Sequence, residues 1–147
     1  MVKKQFANPR DYALKLSQII QTTEDAGTAV ADYFVKLKTA LDADKLSEMP
    51  KAEFEEIAAE FDDVVEIYKQ ADADLTALKA PVRLIGVQGS LVKTFRAYYE
   101  ATIVMAESLN IAEQTIDLPA FEQSEKDQDQ LIEEFMKQVR RAFQMVM

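Results

Sequence analysis

The chain contains no cysteine, no histidine and no tryptophan, and only three glycines and four prolines in 147 residues. Each absence removes a class of chemistry. Without cysteine there is no disulfide framework and no thiol nucleophile. Without histidine, zinc sites built on His or Cys are excluded. So is the di-iron bundle pattern, which needs a Glu-x-x-His motif on two helices. Nucleophilic catalysis is left with Ser-Lys, Lys alone or a carboxylate. Ser90 and Lys93 stand one turn apart and Ser17 follows Lys15 by two positions; neither spacing rises above chance.

Long apolar runs are missing too. The longest uncharged run, Leu84 to Val92, is nine residues, less than half a membrane span. The amino terminus carries Lys3 and Lys4 with no apolar stretch behind them, so no secretory signal is expected and a cytoplasmic protein is. Positive charge is the minority: 17 Lys and Arg against 26 Asp and Glu, net −9. Nucleic-acid and anionic-membrane surfaces call for clustered cations, and neither partner is expected. The excess is concentrated in residues 48–74, with ten acids against two lysines.

What is present favours helix. Ala, Leu, Glu, Lys and Gln are abundant, and scarce Gly and Pro leave few breaks. The central stretch is Leu91 to Leu109. Leu91, Phe95, Tyr98, Thr102, Met105 and Leu109 fall on one helical stripe. Val92, Tyr99, Ile103 and Ala106 widen it past half the circumference, so other helices must cover it.

The first helix is predicted to open at Asn8-Pro9, an N-cap followed by a first-turn proline. Its seam runs Tyr12, Leu16, Ile19, Thr23, Ala26, Val30, Tyr33, Leu37, Leu41, about 35 residues or 50 Å. Gly27 lies within it, for close helix approach or a mild kink. Ser47 is expected to cap the second helix, with Pro50 in its first turn. Phe54, Ile57, Phe61, Val64, Val65, Tyr68, Ala71, Leu75 and Leu78 form its inner face and seven acids from Glu53 to Glu66 its outer face. Pro81 is expected to open the third helix, and Gly86 and Gly89 to allow close helix contact. Residues 111–123 are predicted as a connection anchored by Ile111, Ile116, Leu118 and Phe121. The last helix is predicted to start near Ser124, with its polar first half, 125–130, projecting. Long helices with short links predict an all-α, up-and-down four-helix bundle of long antiparallel helices, a single domain over residues 1–147.

Few constellations could carry chemistry. Asp42-Ala43-Asp44 is too short for a calcium loop. Glu100 and Glu107 share a face that reaches water. Gly86-Val87-Gln88-Gly89 has neither the lysine nor the preceding strand of a phosphate loop. No metal, cofactor or catalytic residue is expected. The acidic face of the second helix is a solvated surface or a dock for a basic partner. The end of the last helix is richer in apolar residues than one seam requires. Met136, Val139, Phe143, Met145, Val146 and Met147 form an adaptable contact surface there. The expected function is therefore non-enzymatic protein–protein interaction, with a partner or a second copy, a dimer through the first or last helix being simplest. The alternative is a bundle that binds a small apolar ligand in a pocket beside the central helix, lined by Tyr98, Tyr99 and Met105.

Overall fold

Four helices in sequence order account for nearly all of the structure, a computed structural model that describes residues 7–146. Lys3, Lys4 and Met147 lie outside the described residues. The helices are α1 (Pro9–Asp42), α2 (Lys51–Ala77), α3 (Ile85–Glu107) and α4 (Leu118–Val146). A two-stranded antiparallel hairpin, β1 (Leu109–Asn110) with β2 (Thr115–Ile116), joins α3 to α4. Consecutive helices pack on one another, α3 on α4 most extensively, whereas α1 and α4 touch only sparingly. The fold is an up-and-down four-helix bundle with its first-to-last seam left loose.

The core falls into two clusters, and their membership shows the antiparallel arrangement. One gathers Tyr12, Leu16 and Ile20 from the start of α1 with Tyr68 and Leu75 from the end of α2. Leu91 and Phe95 from α3 and Phe135, Val139 and Ala142 from α4 join it. The other joins Leu37 to Phe54, Ile57, Phe61, Met105, Leu109 and Phe121. Burying each Phe or Leu contributes about 1.5–3 kcal/mol.

Local chemistry sets the helix ends. Asn8 caps α1, its side-chain oxygen accepting from the backbone N–H of Arg10 at 2.8 Å and Asp11 at 3.4 Å. Helix α1 closes with Asp44 at φ 55°, the N–H of Lys45 reaching the Ala40 carbonyl at 2.8 Å and that of Asp44 the Leu41 carbonyl at 3.1 Å. This is a Schellman motif with a carboxylate residue at the left-handed position. Ser47 does not cap α2: it sits in a 3-10 turn, Leu46–Glu48. Pro50 takes the cap position instead, its carbonyl accepting from Glu53 and Phe54. After Pro81 a 3-10 turn, Val82–Leu84, runs straight into α3.

Three further expectations differ from the structure. Gly86 and Gly89 make no close helix contact; both are exposed, and an added Cβ would meet nothing within 4 Å. The last helix starts at Leu118, not Ser124. Asp117 caps it, its carboxylate accepting from the Ala120 N–H at 3.3 Å and its carbonyl from the Phe121 N–H at 2.9 Å. Ser124 is buried inside the first turns and donates to the Phe121 carbonyl at 2.9 Å. Of the connection's apolar anchors, Phe121 is fully buried and Ile116 half-buried, but Ile111 and Leu118 are exposed. The hairpin is held by a polar tie: Gln114 donates to the carbonyls of Leu46 at 3.0 Å and Met49 at 2.7 Å.

Candidate functional site

Where α1 and α4 fail to close, a cleft of about 380 Å³ opens midway along the bundle, at the gap between the two core clusters. Its physical origin lies in two under-filled seams that face each other. Helix α1 offers Gly27, Val30 and Ala31, none bulky, before Phe34 and Val35 one turn further on. Helix α4 offers Glu125, Gln128 and Asp129 in the stretch of its inner stripe between Phe121 and Phe135. Neither side reaches far enough to fill the space between them. The expectation that residues 125–130 project is thus corrected: they belong to a continuous helix, and three of them line this cleft.

Aromatic and aliphatic groups build the walls: Phe34 from α1, Phe61, Val64 and Tyr68 from α2, and Tyr98, Thr102 and Met105 from α3. Tyr68 and Tyr98 meet ring to ring at 5.3 Å, with their hydroxyl oxygens 3.3 Å apart. Phe95 backs both rings at 5.9 Å. Burial pushes the ionisation of Tyr68 well above the ordinary tyrosine value and raises that of Tyr98, so both remain neutral hydroxyls at neutral pH. One hydroxyl of the pair donates to the other, which leaves the second proton free for a further acceptor. The Thr102 hydroxyl is already committed to the Tyr98 carbonyl at 2.9 Å.

Polar groups sit on the α4 side. The Gln128 amide approaches the Met105 sulfur at 3.6 Å. Lys38 and Glu125 form an ion pair at 3.0 Å that ties α1 to α4, and this carboxylate raises the Lys38 ammonium above its ordinary value. With both side chains about one-third exposed, the pair contributes at most ~1 kcal/mol.

Of the residues anticipated for a pocket, the structure brings Tyr98 and Met105 into the cleft and leaves Tyr99 out; Tyr99 is half-buried against the first core cluster. The residues anticipated for partner contact are placed differently from a free apolar strip. Val139 is 2% exposed and belongs to the core. Met136, Phe143, Met145 and Val146 are partly buried and pack against the same cluster. The contributions of α1, α2 and α4 to the cleft were not anticipated. The available signal was the coincidence of a small-residue stretch in one seam with a polar stretch in another.

A second depression, about 870 Å³, runs outside the bundle between the start of α1 and the end of α2. Its lining mixes Ile19, Ile67 and Leu78 with charges of both signs, Lys15 and Lys79 beside Asp11 and Asp74. Among the described residues no three carboxylates gather as metal ligands would, and no helix is long and apolar enough to cross a membrane. Comparison with protein-family models, curated protein sequences and solved structures returns no match.

Proposed function

We propose that this chain is a non-enzymatic binding protein whose α1–α4 cleft takes up the apolar body of a small molecule. The observation that carries the reading is the cleft itself: some 380 Å³ with aromatic walls, a tyrosine hydroxyl pair, and carboxylate and amide groups confined to the α4 side. Ligand sites in proteins have this size and this division between apolar lining and a few polar groups, and bundles place them between helices. The lining offers no base positioned beside a nucleophile, which favours binding over catalysis.

The test is titration of the 15N-labelled protein with small amphipathic molecules, following backbone amide shifts. Saturable one-to-one shifts centred on Val30, Tyr68, Tyr98 and Thr102 are expected. Ala31→Trp, at an exposed position on the cleft wall, is expected to abolish them while changing stability by no more than about 0.5 kcal/mol. Shifts scattered over the surface, or unaffected by this variant, would exclude the cleft as the site.

A second reading is self-association through the end of α4. It is favoured by the partial exposure that Met136, Phe143, Met145 and Val146 retain. Light scattering at high concentration decides it: a strictly monomeric species removes this reading, and a dimer weakened by Phe143→Ser supports it.

A further inference from the structure

Resting on the reading of the cleft as a ligand site, we infer that its ligand is an apolar cation: an ammonium group on an apolar body of about a dozen non-hydrogen atoms. The size follows from the volume, about 380 Å³, at roughly 30 Å³ per water-sized group. The charge follows from what surrounds the space. No lysine or arginine lines the cleft, whereas Glu125 and Asp129, one turn apart on α4, both do.

These two carboxylates are not equivalent. Glu125 is engaged by Lys38 at 3.0 Å. Asp129 is exposed and forms no ion pair among the described residues. Its charge is felt across the cleft, where it adds to the upward shift of the Tyr98 hydroxyl. Four aromatic side chains, Phe34, Phe61, Tyr68 and Tyr98, line the same space, and aromatic faces attract a cation within about 6 Å. An ammonium at the mouth would meet the Asp129 carboxylate, with its apolar tail against Val30, Val64 and Met105. An anionic amphiphile of the same length would bring its carboxylate beside two others, in a protein of net charge −9, and like charges at such a separation repel.

Three probes that differ only in the head group separate the possibilities: octylamine, 1-octanol and octanoate, titrated at pH 7 and low salt into the 15N-labelled protein. Octylamine is expected to bind in the cleft about fivefold or more tightly than 1-octanol, and octanoate more weakly than either. Asp129→Asn is expected to reduce the amine's advantage over 1-octanol about two- to fivefold. Equal binding of octylamine and 1-octanol overturns the charge assignment while leaving the cleft reading standing. So does octanoate binding tightest, or Asp129→Asn leaving the amine's advantage intact. Octylamine shifts centred on the acidic face from Glu53 to Glu66 overturn it as well, because they report general attraction to a negative surface. If none of the three probes shifts the cleft amides, both the charge assignment and the cleft reading fall.

Discussion

At the residue scale, the most tightly specified polar group is Gln88, only 7% exposed. Its Oε1 accepts from the Tyr12 hydroxyl at 2.6 Å, and its Nε2 donates to the Leu75 carbonyl at 2.8 Å. The opposite amide orientation would set an oxygen against that carbonyl, so the chemistry fixes the assignment. Gln88 thereby adds a second donor to the Leu75 carbonyl, which also accepts from the Leu78 N–H at 3.2 Å, and joins α1, α2 and α3 through one side chain. Tyr12→Phe leaves the buried Oε1 without a donor, and a loss of about 1–3 kcal/mol is expected, measured as a lowered urea midpoint. The same tyrosine contributes to an alkaline limit that it shares with Tyr68 and Tyr98. Burial raises its ionisation from 10.0 to about 12, so the folded state holds this proton more tightly than the unfolded chain does. The stabilisation is complete below pH 10 and is lost as pH climbs from about 10 towards 12. A urea midpoint steady from pH 7 to 9.5 and falling beyond pH 10 is expected, with a shallower fall for Tyr12→Phe. A midpoint flat to pH 11.5 would contradict this account.

At the scale of elements, the chain places two residue types against local preference. Gly89 lies inside α3, exposed, with open space where a Cβ would stand, and a mid-helix glycine costs up to ~1 kcal/mol relative to alanine. Asp44 occupies the left-handed position that closes α1, where glycine bears no Cβ penalty. Gly89→Ala and Asp44→Gly are each expected to stabilise by about 0.5–1 kcal/mol, which thermal unfolding would register as a higher Tm; a drop in Tm for either would show a contact or strain absent from this description. Element starts show how far local signals carry. Asn8-Pro9 was legible because an asparagine cap and a first-turn proline point the same way. Asp117-Leu118-Pro119 holds a similar signal. It was masked because Ile111, Ile116, Leu118 and Phe121 resemble loop anchors, and because Ser124 has the chemistry of a cap while lying buried nearly two turns inside the helix. Periodicity identified most of the buried face of α2, from Phe54 to Leu75, because that helix packs on its neighbours along its whole length.

At the scale of the whole molecule, the cleft was only half legible. Tyr98 and Met105 stand on the stripe of α3, and a single-helix pattern reaches them. The remainder depends on which α1 turns meet which α4 turns, and spacing within one helix carries no such information. The same loose seam makes the bundle unequal in stability. Helices α3 and α4 share the most extensive interface and hold Phe95 against Phe135 at 5.3 Å. The middle of α1 faces the cleft on one side, with Thr28, Ala29 and Asp32 exposed on others. Few buried contacts secure that segment, and segments of that kind open locally before the global unit does. Native-state hydrogen exchange is therefore expected to find the amides of Ala29 to Tyr33 at least tenfold less protected than those of Leu91 to Thr102, a gap of about 1.4 kcal/mol or more in opening free energy. Filling the cleft should narrow the gap, because a ligand that touches both α1 and α4 binds only the closed form and stabilises it by mass action. Equal protection of the two segments in the free protein would mean that α1 opens only with the whole bundle, and that the loose seam confers no local freedom.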